Sequence, residues 1–140
     1  MKHEKTMTPK KTIIVIAIFI VVGIMLVVTV KQGVQVKQDN TGIKISGGLF
    51  YSVDVRFSEI NDVQLVDSID YGSRTDGAAI GNYHLGNYRN SAYGSYKLFV
   101  NDRIPRYIVI QYDHGETVVF NCKNEEDTKE MYESLVEKIK

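Results

Sequence analysis

Residues 107–122 read YIVIQYDHGETVVFNC and contain the clearest β-hairpin pattern of the chain. The run 107–112 is apolar on both faces, which is typical of a central strand. In the run 117–122 the side chains of Val118, Phe120 and Cys122 share one face, because successive side chains of a strand alternate. The polar residues 113–116 favour a turn between the two runs. We therefore predict two antiparallel strands, the first of them covered on both sides.

The residues after this hairpin change from a strand period to a helical one. Asn124 is a suitable N-cap, and the acidic residues 125–127 would meet the positive end of a helix dipole. Apolar or small side chains then recur at helical spacing and form one stripe. The members of this stripe are Thr128, Met131, Tyr132, Leu135, Val136 and Ile139. The pattern predicts a C-terminal helix that buries the stripe against a sheet.

The residues before the hairpin alternate between apolar and polar side chains in several short runs. The clearest run is 49–57, and Gly47-Gly48 before it suits a tight turn. The stretch 72–94 is rich in glycine and tyrosine, and it predicts short strands joined by tight turns. Together these runs indicate a mainly β domain with one C-terminal helix. We expect a small antiparallel sandwich or partly open barrel of about seven strands, capped by that helix.

An apolar segment precedes the β domain. Residues 12–30, from Thr12 to Val30, read TIIVIAIFIVVGIMLVVTV and carry no charge. As a helix they would be about 28 Å long, close to the roughly 30 Å of a bilayer hydrocarbon core. A buried core helix would need a less uniform surface, and a cleaved signal peptide would need a small-residue site that residues 31–34 lack. We predict an uncleaved transmembrane helix.

Charges on either side of this segment predict its orientation. Residues 1–11 hold four lysines and residues 31–41 hold two. The lysine-rich side of a span faces the cytoplasm. We expect a basic cytoplasmic tail at 1–11, a span at 12–30, a linker or first strand at 31–40, and a domain at 41–140. The protein would then be a single-pass protein of the cytoplasmic membrane, with its C-terminal domain outside.

The domain itself is mildly acidic. Residues 31–140 carry 13 Lys and Arg against 16 Asp and Glu, a net charge of −3. Nucleic-acid binding would call for a basic surface, and so would simple attraction to anionic lipid. The sequence therefore predicts no nucleic-acid partner.

Residues 81–96 (GNYHLGNYRNSAYGSY) and 97–102 (KLFVND), followed by the hairpin and the acidic helix, carry a family resemblance. Over about residues 40–140 the chain resembles the bacterial pleckstrin-homology-like (PH-like) domains of Gram-positive membrane proteins. The resemblance implies strands capped by a C-terminal helix and tethered by an N-terminal membrane helix. It brings no catalytic signature, so it implies a scaffold and not a reaction.

Residues with catalytic potential are few. His84 and His114 are the candidate bases for a small envelope hydrolase or ligand sensor, which is the alternative function. We interpret them as exposed turn residues and Cys122 as a small buried apolar residue. No spacing suits a metal ion or a phosphate-binding loop, so we expect no cofactor and no metal.

Aromatic and basic residues of the stretch 72–94 form the best candidate binding site. Tyr and Arg are the residue types that anchor protein interfaces, although ordinary sheet surface with core tyrosines is the alternative. We call this set the aromatic–basic patch, and its members are Arg74, Tyr83, His84, Tyr88, Arg89 and Tyr93. The sequence thus predicts a non-enzymatic binding or scaffolding domain for a protein, a peptide or a second copy of itself.

The orientation can be tested in intact protoplasts. Protease added outside should remove residues 31–140 and leave a short membrane-bound fragment, because the predicted domain lies on the outer side. Immunodetection of both chain ends gives the result. A domain that survives until the protoplasts are lysed would reverse the predicted topology.

Overall fold

The computed structural model describes residues 8–140, apart from the side chains of residues 29–32. Residues 1–7 of the predicted basic tail lie outside the described part. The described chain contains two α-helices, nine strands and one 3₁₀ turn at Phe57–Glu59. The elements are α1 (Pro9–Gln32), β1 (Val34–Gln38), β2 (Gly42–Gly47), β3 (Tyr51–Arg56), β4 (Ile60–Val66), β5 (Ser73–Ile80), β6 (Tyr83–Asn90), β7 (Gly94–Asn101), β8 (Tyr107–Tyr112), β9 (Glu116–Phe120) and α2 (Glu125–Lys138).

The strands form two sheets, as expected for a sandwich. The smaller has the order β1-β2-β3 and the larger the order β4-β8-β9-β7-β6-β5. Two details differ from the expectation. The glycine- and tyrosine-rich stretch forms two strands of eight residues, so nine strands replace about seven. In addition, β9 lies between β8 and β7 and runs parallel to β7, whereas the other pairings are antiparallel.

The main core lies between the two sheets and α2. β8 is covered on both faces, as predicted, with Ile108 and Ile110 in this core and Val109 on the opposite face. Burial of so many aliphatic side chains is the main driving force for folding. The core includes Ile43, Ile45, Val55, Leu85, Phe99, Val118, Phe120 and Leu135, each 2% exposed or less.

The terminal helix begins as the sequence predicts. The Asn124 side chain accepts a hydrogen bond from the amide of Asp127 at 2.7 Å, which is an N-cap. The Thr128 hydroxyl, fully buried, donates to the Asn124 carbonyl and accepts from the Cys122 amide. Leu135 is also fully buried, so the apolar stripe faces the core.

The outer face of the larger sheet is covered by its own chain. β4 and β5 lie at opposite edges, so residues 67–72 must cross the sheet between them. We call these residues the crossing segment. Its Tyr71 carbonyl accepts from the Tyr96 hydroxyl at 2.8 Å, and its Asp70 carbonyl accepts from Asn90 at 2.7 Å. The segment thereby shields a second cluster formed by Tyr88, Tyr96, Leu98, Val100, Tyr107, Val109 and Val119.

The turn between β2 and β3 differs from the sequence interpretation. Alternation in the run 49–57 predicts a strand over its whole length, but β3 begins only at Tyr51. Gly48 has a φ of +61°, a conformation that favours glycine, and the turn extends to Phe50. Leu49 and Phe50 are consequently exposed, by 43% and 78%.

The N-terminal helix matches the predicted span and extends it slightly at both ends. Within Pro9–Val28 an 18-residue window reaches a mean hydropathy of 3.0, so the helix is long and apolar enough to cross a membrane. The large apolar side chains between Ile13 and Val27 are exposed, as lipid-facing side chains would be.

Asn121 joins three segments and should be critical for stability. Its fully buried side chain accepts from the Asn101 amide at 2.9 Å and donates to the carbonyls of Asn101 and Ile104 at 2.9 and 3.0 Å. Asn121→Ala leaves these groups without partners and should lower the free energy of unfolding by about 2–4 kcal/mol. Denaturant unfolding of the full chain in detergent, followed by circular dichroism, measures the change.

Asn61→Ala is the matched control. The exposed Asn61 side chain makes one hydrogen bond, to the Asp113 carbonyl at 2.8 Å, so its loss should cost less than about 1 kcal/mol. Equal losses in the two variants would contradict the structural role given to Asn121.

Candidate functional site

A groove of about 910 Å³ separates β1 from α2, and we call it the β1–α2 groove. One wall is strand β1, the other is the side of α2, and the connection after β9 closes one end. Its volume lies within the range of known ligand sites, about 300–1,000 Å³. The lining residues are Gly33, Val34, Gln35, Val36, Lys37, Tyr83, Asn101, Cys122, Lys123, Asp127, Glu130, Met131 and Ser134.

Strand β1 presents a free edge to this groove. Within residues 8–140, β2 is the only strand that pairs with it. The Asp39 amide donates to the Gly42 carbonyl at 3.0 Å, which makes that pair a hydrogen-bonded one. Because hydrogen-bonded and non-hydrogen-bonded pairs alternate along an antiparallel ladder, Lys37 and Gln35 bond to β2. Val36 then directs its amide and carbonyl away from β2, towards the free edge.

The turn that sets this register is held by one carboxylate. Asp39 Oδ1 accepts hydrogen bonds from the Thr41 amide, the Thr41 hydroxyl and the Gly42 amide at 2.7, 2.8 and 2.9 Å. These bonds favour the ionised form and lower the pKa of Asp39 below its ordinary value. The ionised carboxylate therefore fixes the β1–β2 register at neutral pH.

The helical wall of the groove is amphipathic. Met131 packs against the core, while the Ser134 hydroxyl donates to Gln38 Oε1 at 3.1 Å. The Nε2 of Gln38 is buried and has no hydrogen-bond partner in the described part of the chain. Two lysines and two acidic residues lie along the groove, so its charge is balanced: Lys37, Lys123, Asp127 and Glu130.

The junction between α1 and the groove requires a glycine. Gly33 is buried with a φ of +54°, and a Cβ there would lie 2.8 Å from the Tyr83 hydroxyl oxygen. Any other side chain would therefore be strained and would collide with the tyrosine ring. Gly33 thus lets the chain pass close to Tyr83 between the end of α1 and the start of β1.

Cys122 is the thiol of the groove, and its environment disfavours the thiolate. It is half-buried and packs against the core, and burial raises its pKa to about 11. Neither His84 nor His114 is among the residues that line the groove. The groove therefore lacks the adjacent imidazole that would activate a cysteine nucleophile.

The aromatic–basic patch predicted from sequence is spread over two faces of β6. The ladder with β7 places Tyr83 and Arg89 on one face and His84 and Tyr88 on the other. Tyr83 lies in the groove, while Tyr88 is buried in the second core cluster beside Arg74. The structure thus brings Arg74 and Tyr88 together but does not place the six side chains on one surface.

The remaining patch residues lie on the side of the crossing segment or at the sheet margin. The Tyr93 ring packs edge-on against Tyr96, with 5.5 Å between centroids. His84 Nε2 lies 3.0 Å from Asp102 Oδ2, and its ring is 5.0 Å from that of Tyr71. His114 projects from the β8–β9 turn with its side chain 99% exposed. Among residues 8–140, no group of three or more His, Cys, Asp or Glu side chains could hold a metal ion.

Of the six residues of the aromatic–basic patch, Tyr83 lines the groove, and nothing in the sequence indicates that the other lining residues form a site. Alternation in residues 34–37 indicates a strand, but it does not reveal that the strand lies at an edge. Ser134 stands outside the apolar stripe of the last helix and gave no signal of its own.

The thiol chemistry is directly testable. Because burial raises the pKa of Cys122 to about 11, its thiolate fraction near pH 8 should be roughly 100-fold below that of an ordinary cysteine. Alkylation by iodoacetamide should be slow and should keep accelerating up to about pH 11. The control variant Cys122→Ser/Ser58→Cys carries one exposed thiol and should react at the ordinary rate. Equal rates near pH 8 would contradict the assignment.

Comparison with known proteins agrees with the fold and with the resemblance noted above. The family model described as Bacterial PH domain matches residues 34–136, from the first strand to the last helix. No curated protein and no solved structure matches the chain. Since the family match covers well over half of the chain, this protein belongs to the bacterial PH domain family.

Proposed function

We propose that the protein is a membrane-anchored binding domain whose β1–α2 groove takes an extended segment of a partner protein. The observation that carries the proposal is the free edge of β1 along the wall of the groove. A peptide strand that adds to such an edge gains main-chain hydrogen bonds, and the groove wall supplies side-chain contacts. Membership of a family of PH domains supports a binding or scaffolding role in general.

The dimensions favour a short extended segment. β1 has five residues, so it spans about 17 Å at roughly 3.4 Å per residue. A partner segment of about five residues would lie along it, between Val36 on one side and Met131 and Ser134 on the other.

The electrostatics favour recognition through the backbone. The groove carries two basic and two acidic side chains, and the domain from residue 31 onwards is only mildly acidic. A strongly charged ligand would find no matching field here. Polar and apolar peptide segments are the better fit, including a segment of a second copy of the chain.

We further propose that the domain works outside a bacterial cytoplasmic membrane, with the N-terminus in the cytoplasm. The lysines before the apolar helix support that orientation. Gly33 links the helix to β1 directly, so a partner in the groove would be held next to the bilayer. The partner would then be another protein of the cell envelope.

Catalysis is not part of the proposal. The alternative, an envelope hydrolase or ligand sensor, would use His84 or His114. His84 has a carboxylate partner in Asp102, but its side chain lies on the opposite face of β6 from Tyr83 and the groove. His114 stands on an exposed turn. Neither arrangement supplies the enclosed nucleophile and base that hydrolysis needs.

Blocking the groove should abolish peptide binding. Extended peptides are selected from a random library against the full chain in lipid nanodiscs, and their affinities are then measured for variants. Ser134→Trp fills the groove and should weaken binding at least about tenfold, whereas Glu133→Trp, on the exposed side of the same helix, should stay within about twofold. Unfolding midpoints of both variants verify that the fold is intact.

Two outcomes would contradict the assignment of the β1–α2 groove as the binding site. If no selected peptide loses affinity in the Ser134→Trp variant, the proposal is overturned. If Arg89→Ala/Tyr93→Ala weakens binding while Ser134→Trp does not, the site belongs to the aromatic–basic patch instead.

A further inference from the structure

The turn between β2 and β3 exposes apolar side chains in an otherwise well-covered domain. Within residues 8–140, the large hydrophobic residues that are exposed belong either to α1 or to this turn. We call residues 48–50 the apolar turn, and Leu49 and Phe50 are its exposed members. These two side chains are adjacent and form one small exposed apolar surface at the tip of the sheet.

The register of the smaller sheet places the apolar turn next to the membrane helix. Gly47, the last residue before the turn, lies directly opposite Val34, the first residue of β1. Val34 is only two residues from Gln32, where α1 ends. The other turn of the same sheet, at residues 39–41, lies at the opposite end of the ladder.

The lengths agree with contact between this turn and the bilayer. The uncharged run ends at Val30, and Gly33 lies three residues further on, about 4.5 Å beyond the hydrocarbon at roughly 1.5 Å per residue. That distance lies within the headgroup layer, which is roughly 5–8 Å deep on each side of the bilayer. Phe50 is three residues from Gly47, so their Cα atoms lie within about 11 Å of each other. The turn is thus within reach of the interface from which α1 emerges.

The surroundings of the turn favour a lipid surface over a charged partner. Phe50 borders a small recess of about 240 Å³ whose charged members are Asp76 and Lys97, one of each sign. Phenylalanine and leucine partition into the boundary between headgroups and acyl chains without help from charge. Adjacent bulky apolar residues at a turn tip match that boundary in size and chemistry.

We infer that Leu49 and Phe50 insert into the phospholipid interface of the bilayer that holds α1. The inference rests on the membrane span in the proposed function. Two attachment points, α1 and the apolar turn, would stop the domain from rotating about Gly33. They would hold the β1–α2 groove at a fixed height and angle above the lipid.

Tryptophan fluorescence tests this directly, because the chain contains no tryptophan. Phe50→Trp places a single fluorophore in the apolar turn, and Asn40→Trp places one in the exposed turn at the other end of the sheet. Both full-length variants are reconstituted into phosphatidylcholine vesicles, with or without bromine at carbons 6 and 7 of one acyl chain. Flotation after a high-pH wash first verifies that each variant is held by the membrane.

The expected result is position-specific quenching. Brominated lipid should reduce the emission of Phe50→Trp to about half or less and leave that of Asn40→Trp within about a tenth of its value. Equal emission of Phe50→Trp in both lipids, from vesicles that retain the protein, would overturn the inference and leave the anchor intact. Emission that depends on protein density and not on bromine would also overturn it, since a second copy then covers the turn. Loss of both variants in the wash would instead refute the membrane span.

Discussion

The register of β1 against β2 determines which side of β1 is open and which end of the smaller sheet lies next to α1. Asp39 sets it by accepting three hydrogen bonds in the two-residue turn. A slip of one residue would exchange the two faces of the strand, turning Val36 outward and Lys37 towards the core. It would also turn the free amide and carbonyl of Val36 towards β2. The Asp39 turn, together with the packing of Val34 and Val36 against the core, thereby sets the exposed edge of β1 and its position relative to the N-terminal helix.

The groove exists because α2 packs elsewhere. The helix packs mainly against β4 and β8 and meets β1 at the hydrogen bond between Ser134 and Gln38. Its apolar stripe is satisfied there, with Leu135 fully buried. The edge of β1 is therefore left open, and the side of the helix that carries Ser134 becomes the opposite wall. An edge strand has unpaired N–H and C=O groups that can form hydrogen bonds with another chain, so the open edge of β1 could bind an extended segment.

Local features of the sequence were sufficient for much of the fold. Period-two and helical patterns predicted the β domain, the central strand β8, the Asn124 cap and the apolar N-terminal helix, since each depends on near neighbours in the chain. Non-local features were out of reach. Insertion of β9 between β8 and β7, and the edge position of β1, depend on how distant strands assemble. The aromatic–basic patch does not form one surface for a local reason, because alternation along β6 separates Tyr83 and Arg89 from His84 and Tyr88.

Amide hydrogen exchange of the full chain in nanodiscs, resolved by NMR, tests the register most directly. The amides of Gln35 and Lys37, bonded to β2, should exchange at least about 100-fold more slowly than the amide of Val36, which faces the free edge. Slow exchange at Val36 with fast exchange at Gln35 and Lys37 would contradict the account. The strand would then be shifted by one residue. The amide of Val36 would face β2 and not the groove, and the turn at residues 48–50 would no longer lie opposite the start of β1.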